Sequence, residues 1–307
     1  MSTEIPARVG PYRIHGLLGR GGSSPVYQAA DASGRAVVIR LLSPRLLDDP
    51  AGKARFERDA QALLAAPHPN LLQILATGTD GSRPYLVTEL VPEGKSLAHL
   101  LRERRLSVDE ALAVMKSVSR GLAHAHQRGL LHHHITPHAI LLSPDLSTVK
   151  LTEFGFTRVE SLGLTGTLST GAITLGAFQY LAPEQLEGSG GPLDPRADLY
   201  SVGAVFFEML TGRPPGGKFT LPSQSNGQVP AETDVIVLKC LARNPAERYG
   251  TALELVGDLG RLEEAQRGRL LSELREIKAA APRRGLLIVG ALLLLAALVA
   301  AGYFLAR

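Results

Sequence analysis

One cysteine, Cys240, in 307 residues excludes an intramolecular disulfide and suits a reducing compartment. Alone and without a partner thiol, it is expected to pack as a small apolar side chain. An excess of one charge is missing as well. The 33 Lys and Arg against 29 Asp and Glu leave a formal +4 spread over the whole chain, so no basic patch points to nucleic acid. The N-terminal stretch MSTEIPARVG is polar and broken by proline, unlike a signal peptide. No internal repeat is visible. Apolar residues are plentiful at 45%, which is enough to bury a core in a chain of this length.

The apolar residues concentrate at the C-terminus, where 286–306 run 21 residues without a charge. At 1.5 Å per residue that is about 31 Å of helix, close to the hydrocarbon thickness of a bilayer. The segment 285–306 is therefore expected to be a transmembrane helix, with Tyr303 at an interface. Arg283 and Arg284 precede it and Arg307 follows, so the positive-inside bias keeps the preceding domain in the cytoplasm of a single-pass membrane protein. Ala296 with Ala300 and Ala297 with Ala301 carry a small-residue spacing that lets two such helices approach, a thin basis for dimerisation.

Upstream of the span, periodicity divides the chain. Short β-rich runs such as YRIHGLLGR, SPVYQAA and RAVVIRLL, bounded by Gly, Pro, Ser or Asp, fill 12–91, with one helical pattern at Phe56, Ala60, Leu63 and Leu64. LLQILATGTDGSRPYLVTEL reads as two strands around the turn TDGSRP. From Ser96 the spacing becomes helical, in SLAHLLRERR, SVDEALAVMKSVSRGLAHAHQRG, RADLYSVGAVFFEMLTG and ETDVIVLKCLA. Residues 161–179 and 213–230 are rich in Gly, Ser, Thr and Pro and read as loops. The expected fold is α+β with two lobes, strand-rich then helical. The expected domains are a tail at 1–11, a small lobe at 12–91, a helical lobe at 92–262, a juxtamembrane helix at 263–284 and the span.

Within 12–262, ordered segments carry a resemblance: LGRGGSSPVYQA, VVIR, RFERDAQALLAAPHPNLLQIL, LAHAHQRGLLHHHITPHAILL, VKLTEFGFTR, LGAFQYLAPEQL, RADLYSVGAVFFEMLTGRPP and LARNPAERY. Together they resemble the eukaryotic-type serine/threonine protein kinases of bacteria, and eight segments in the right order carry far more than a lone glycine-rich loop. The resemblance implies a two-lobed kinase-like fold, ATP with magnesium as cofactor, and membrane tethering by one helix. It places the packing set at His132, Phe154, Gly155, Asp198 and the Glu184–Arg248 pair.

The same resemblance exposes a degraded chemical set, in a reaction that consists mainly of positioning and neutralising phosphate charge. Arg40 stands for the strand lysine and Asp59 for the helix glutamate that pairs with it, so an Arg40–Asp59 pair is expected. His134 takes the catalytic aspartate position, Thr136 that of the phosphate-touching lysine, and Ala139 that of a metal-binding asparagine. Glu153 replaces the magnesium-binding aspartate and is the one candidate metal ligand. Ser24 and then Pro25 alter the glycine-rich loop that retains Gly19 and Gly21, and Ala177 replaces a threonine. Lysines that could substitute are few, with Lys53 and Lys95 the small lobe's candidates near the site.

For a nucleotide, the resemblance implies that Leu18, Val26 and Leu141 sandwich the base and that the backbone of 89–91, from Glu89 to its third residue Val91, bonds it. Val38 fills space that an alanine usually leaves, so weak or no ATP binding is expected. Six histidines, at 124, 126, 132, 133, 134 and 138, cluster here, but three match the family and no Cys or carboxylate joins them at ligand spacing. The expected function is thus a membrane-anchored pseudokinase, a scaffold or allosteric module for a kinase or other signalling protein. Two readings compete with it: an atypical serine/threonine kinase using Glu153 for magnesium and His134 as base, and a bare adaptor without ligand.

Overall fold

The structure, a computed structural model, describes residues 5–21, 24–43, 50–154, 177–187, 194–216 and 220–280. Gly155, the loop at 161–176 and the apolar segment 285–306 lie outside the described residues. The chain divides into two compact units, 1–257 and 258–307, and the first carries both lobes.

The small lobe is a six-stranded antiparallel sheet of β1 (Arg8–Val9), β2 (Tyr12–Gly21), β3 (Ser24–Ala30), β4 (Ala36–Leu41), β5 (Ile74–Asp80) and β6 (Arg83–Glu89), in the order β1-β2-β3-β4-β6-β5. Its side chains follow the two-residue period of a strand. Val37, Ile39 and Leu41 of β4 turn into the core with Tyr27, Ala29, Tyr85 and Val87. Val38 and Arg40 therefore take the opposite face. The register pairs Val26 with Arg40 and Gln28 with Val38, so one sheet face carries all four. The β5–β6 hairpin is tighter than TDGSRP suggests: Asp80 pairs with Arg83, and only Gly81, at φ 58°, and Ser82 turn the chain. Between β4 and β5, helix α1 (Pro50–Leu64) buries Phe56, Ala60 and Leu63 of its sequence pattern and leaves the fourth residue, Leu64, exposed at its last position.

The helical lobe opens with a small sheet of β7 (Lys95–Ser96), β8 (Ile140–Leu142) and β9 (Val149–Leu151). Helix α2 (Leu97–Glu103) starts on Ser96, whose hydroxyl accepts from the His99 N–H. Helix α3 (Val108–His126) starts with the reciprocal Ser107–Glu110 capping box. Then follow α4 (Pro183–Leu186), α5 (Arg196–Thr211), α6 (Pro222–Ser225), α7 (Ala231–Cys240) and α8 (Ala252–Ala280). Helix α5 buries 13 of its 16 residues and is the centre of the lobe rather than an amphipathic surface helix. Where α5 meets α7, the missing side chain of Gly203 lets Cys240 pack against it, which explains the burial of that cysteine. The 213–230 stretch is not loop throughout, because Pro222 at the first position starts the short helix α6. Helix α8 continues unbroken past residue 262.

Candidate active site

The lobes enclose a cleft of about 1260 Å³. Leu18, Gly19, Val26 and Val38 of the small sheet, Glu89 at the end of β6, Val91 of the connecting segment and Leu141 of β8 all line it. Gly21 ends β2. At the connecting segment the Val91 carbonyl accepts from Gly94 at 3.0 Å. Its N–H has no partner among the described residues, so a donor is left for a base edge. Glu89 has a role that sequence reasoning missed. Its carboxylate accepts from the Gln73 N–H at 2.8 Å and from Lys150 Nζ at 2.7 Å, tying the end of β6 to the segment before β5 and to β9. No sequence spacing signals this, since the three residues are brought together only by the fold.

The phosphate half differs from expectation. Arg40 does not pair with Asp59; its Nη2 lies 2.6 Å from Glu153 Oε1, with both side chains about four-fifths buried. Asp59 instead takes the guanidinium of its neighbour Arg58 at 2.8 Å. The physical reason is reach. Aspartate is one methylene shorter than glutamate, whereas the longer Glu153 extends to Arg40 from the other side of the cleft. Neither candidate lysine is available, since Lys53 pairs with Glu57 and Lys95 with Glu103.

The loop around residues 132–139 is held by bonds to its backbone, and His134, Thr136 and Ala139 are the side chains it presents at the positions singled out from the sequence. Asp198 of α5 is buried and accepts from the N–H groups of His132 and His133 at 2.8 and 2.7 Å and from His126 Nε2 at 2.9 Å. Those bonds accompany His133 at φ 66°; Glu153 has φ 67°, and both conformations cost an L-residue energy. His132 donates from Nε2 to the Thr152 carbonyl at 2.6 Å and stacks on Phe154 at 4.7 Å. Its Nδ1 accepts from the His134 N–H, so it is the neutral tautomer. Burial holds its pKa below the usual histidine value despite Asp198.

On this scaffold His134 lines the cleft with neither ring nitrogen bonded, and burial, then His132, lowers its pKa while Glu153 opposes. It is a neutral imidazole with nothing to orient it. Thr136 is 4% exposed, and Ala139 is fully buried, its carbonyl already taken by the N–H and hydroxyl of Thr152. Glu153, the carboxylate expected to hold a metal, is bonded to Arg40. Among the described residues no cluster of three His, Cys, Asp or Glu could hold a metal ion. The residues present thus fit a nucleobase and do not fit magnesium with its phosphates.

Below the loop, Arg248 makes two bonds to Glu184 at 2.6 and 2.8 Å and bonds the carbonyls of Ala242, Arg196 and Arg243. Gln185 of α4 reaches the His133 carbonyl at 2.8 Å, and Tyr180 donates to Glu208 at 2.6 Å.

This geometry agrees with the comparisons. The protein kinase domain model matches residues 12–258. The chain belongs to the protein kinase family. Serine/threonine-protein kinase PknL of Mycobacterium tuberculosis is 36% identical over 292 residues, covering 89% of this chain and 69% of that protein. PknB of Mycolicibacterium smegmatis is 34% identical over 276 residues, and a probable serine/threonine-protein kinase of Streptomyces coelicolor 35% over 278. This chain spans only 43% and 40% of the length of those two relatives, and 83% of its own residues take part in each match. The crystal structure of the M. tuberculosis PknI kinase domain superposes with a TM-score of 0.68 over 83% of this chain and 97% of that one, at 24% identity, a likeness of fold.

Proposed function

We propose that this member of the protein kinase family is a pseudokinase, anchored in the membrane by residues 285–306 with its two-lobed domain in the cytoplasm, and that it works as a scaffold or allosteric partner of another signalling protein. The observation that carries the loss of phosphotransfer is the Arg40–Glu153 ion pair. It commits to each other the cation that would hold phosphate and the carboxylate that would hold metal. Ala139 and Thr136 remove the remaining metal and phosphate contacts, and the losses act on one transition state.

A second reading, an atypical serine/threonine kinase, is favoured by the names of the relatives, which are kinases, and speaks for retained activity more directly than for its loss. In this chain it has one supporting feature, the neutral and unbonded His134 as general base. The deciding experiment incubates the full-length chain in detergent with labelled ATP and magnesium or manganese, and reads label and intact mass. No incorporation is expected. Stoichiometric phosphate on the protein, for instance on Thr165, Thr167, Ser169, Thr170 or Thr174, overturns the pseudokinase reading and establishes the second.

A further inference from the structure

The two halves of the cleft disagree about their ligand. The base half presents apolar walls from Leu18, Val26, Val38 and Leu141 and an unpaired N–H on Val91. The phosphate half presents an ion pair closed at 2.6 Å, while Ala139 is fully buried and offers no side-chain oxygen. An incoming triphosphate must either break that pair or lie beside it. If it breaks the pair, Glu153 is left as an unpaired carboxylate against the phosphates. If it lies beside the pair, it meets a group whose positive charge is already neutralised. Metal does not relieve the conflict, because Glu153 cannot serve it and Arg40 at once and Ala139 contributes no oxygen. A ligand that ends at the sugar meets none of these costs.

We propose that the cleft is a metal-independent site for an uncharged purine nucleoside, and that the Arg40–Glu153 pair is the element that selects against the phosphorylated forms. Adenosine places its base between Val26, Val38 and Leu141 and accepts from the Val91 N–H, while its sugar stops short of Arg40. Each added phosphate brings negative charge toward Glu153. Affinity therefore falls from adenosine through the monophosphate to the triphosphate, the reverse of a site built to hold a metal–nucleotide complex. This specificity rests on the reading of the phosphate end given above.

The test is calorimetric titration of the full-length chain in detergent with adenosine, AMP and ATP, each with magnesium and with chelator. The expected result is adenosine bound at least about tenfold tighter than ATP, a difference of about 1.4 kcal/mol, with magnesium changing the ATP affinity less than about twofold. Two variants keep the cause accountable. E153Q releases the guanidinium of Arg40 and removes the opposing charge, so ATP should gain about tenfold while adenosine stays within about twofold. R40M leaves Glu153 unpaired, so ATP should weaken further with adenosine again unchanged.

ATP with magnesium binding as tightly as adenosine, or no heat from adenosine at millimolar concentration, overturns the proposal. Equal ATP affinity in E153Q and wild type overturns the role of the pair. These outcomes separate from the labelling assay. Transfer of phosphate sinks the pseudokinase reading whatever the titrations give, whereas an adenosine failure without transfer sinks the nucleoside site alone.

Discussion

Arg248 lies wholly buried beneath Glu184, its guanidinium gripping both carboxylate oxygens at 2.6 and 2.8 Å. Burial alone would raise the Glu184 pKa, but the bonds from Arg248 outweigh it and hold the carboxyl below its usual value. The two residues are 64 positions apart in sequence, so the pair fixes α4 to the segment before α8. Removing the carboxylate strands a charge with no water to reach it. Glu184→Ala should cost about 3 to 5 kcal/mol, measured by urea unfolding of the full chain in detergent. A midpoint unchanged from wild type would show that the pair is not what holds this segment.

Asp198 makes a related demand. Its carboxylate fills three donors, and two of them fix the strained backbone at His133. Asn can accept on one oxygen only and turns an amide N–H toward the loop. Asp198→Asn is expected to destabilise by about 2 to 4 kcal/mol and to raise hydrogen exchange first at residues 131–135. Uniform protection across the chain in that variant would contradict the assignment.

Stability should fall on mild acidification. Burial lowers the pKa of both His132 and His134 in the folded chain, whereas unfolded histidine titrates near 6.5. Below that value the unfolded chain binds protons that the folded chain refuses, so the unfolded state gains. Stability is therefore full above pH about 6.5 and declines below it, with a slope of up to about 1.4 kcal/mol per pH unit per histidine. His134→Leu should flatten the decline between pH 6.5 and 5 by one histidine's share. Because both ring nitrogens of His134 are unbonded, it should cost little at pH 7.5. Equal slopes in variant and wild type would exclude His134 from the effect.

The two-lobed fold was legible because it is written in local periods: the alternation Val37, Ile39, Leu41 and the helical stripe Phe56, Ala60, Leu63 each describe one face of one element. The lining of the cleft by Leu18, Val26, Val38 and Leu141 was legible through the family resemblance rather than through period, since β8 belongs to a second sheet. Ion pairs were not. Arg40 and Glu153 are 113 residues apart, and which acid an arginine takes depends on side-chain reach across the cleft rather than on position in a motif. Glu89 escaped notice likewise, because its partners, Gln73 before β5 and Lys150 in β9, are 16 and 61 residues away. Helix α6 was hidden by its length: four residues give no periodicity, and only Pro222 at its first turn marks it.

The membrane anchor on which the cytoplasmic role depends rests on the sequence of 285–306. An uncharged helix of this length satisfies its own backbone in lipid, and Arg283 with Arg284 resists translocation of what precedes it. The full chain should stay with the membrane fraction through high salt and carbonate washes, and deletion of the segment should release it. Leu294 falls at the middle of the proposed span, where a guanidinium could not reach either interface without distorting the bilayer. Leu294→Arg should therefore weaken insertion by about 2.5 to 3.5 kcal/mol, read as the inserted fraction in a glycosylation-tagged translation assay. Sidedness is a separate question with a separate readout. Protease added to intact cells should spare the kinase-like domain and should cleave it after lysis. Loss of the domain in intact cells would place it outside, away from any cytoplasmic partner, and would leave the anchor correct but the proposed role wrong.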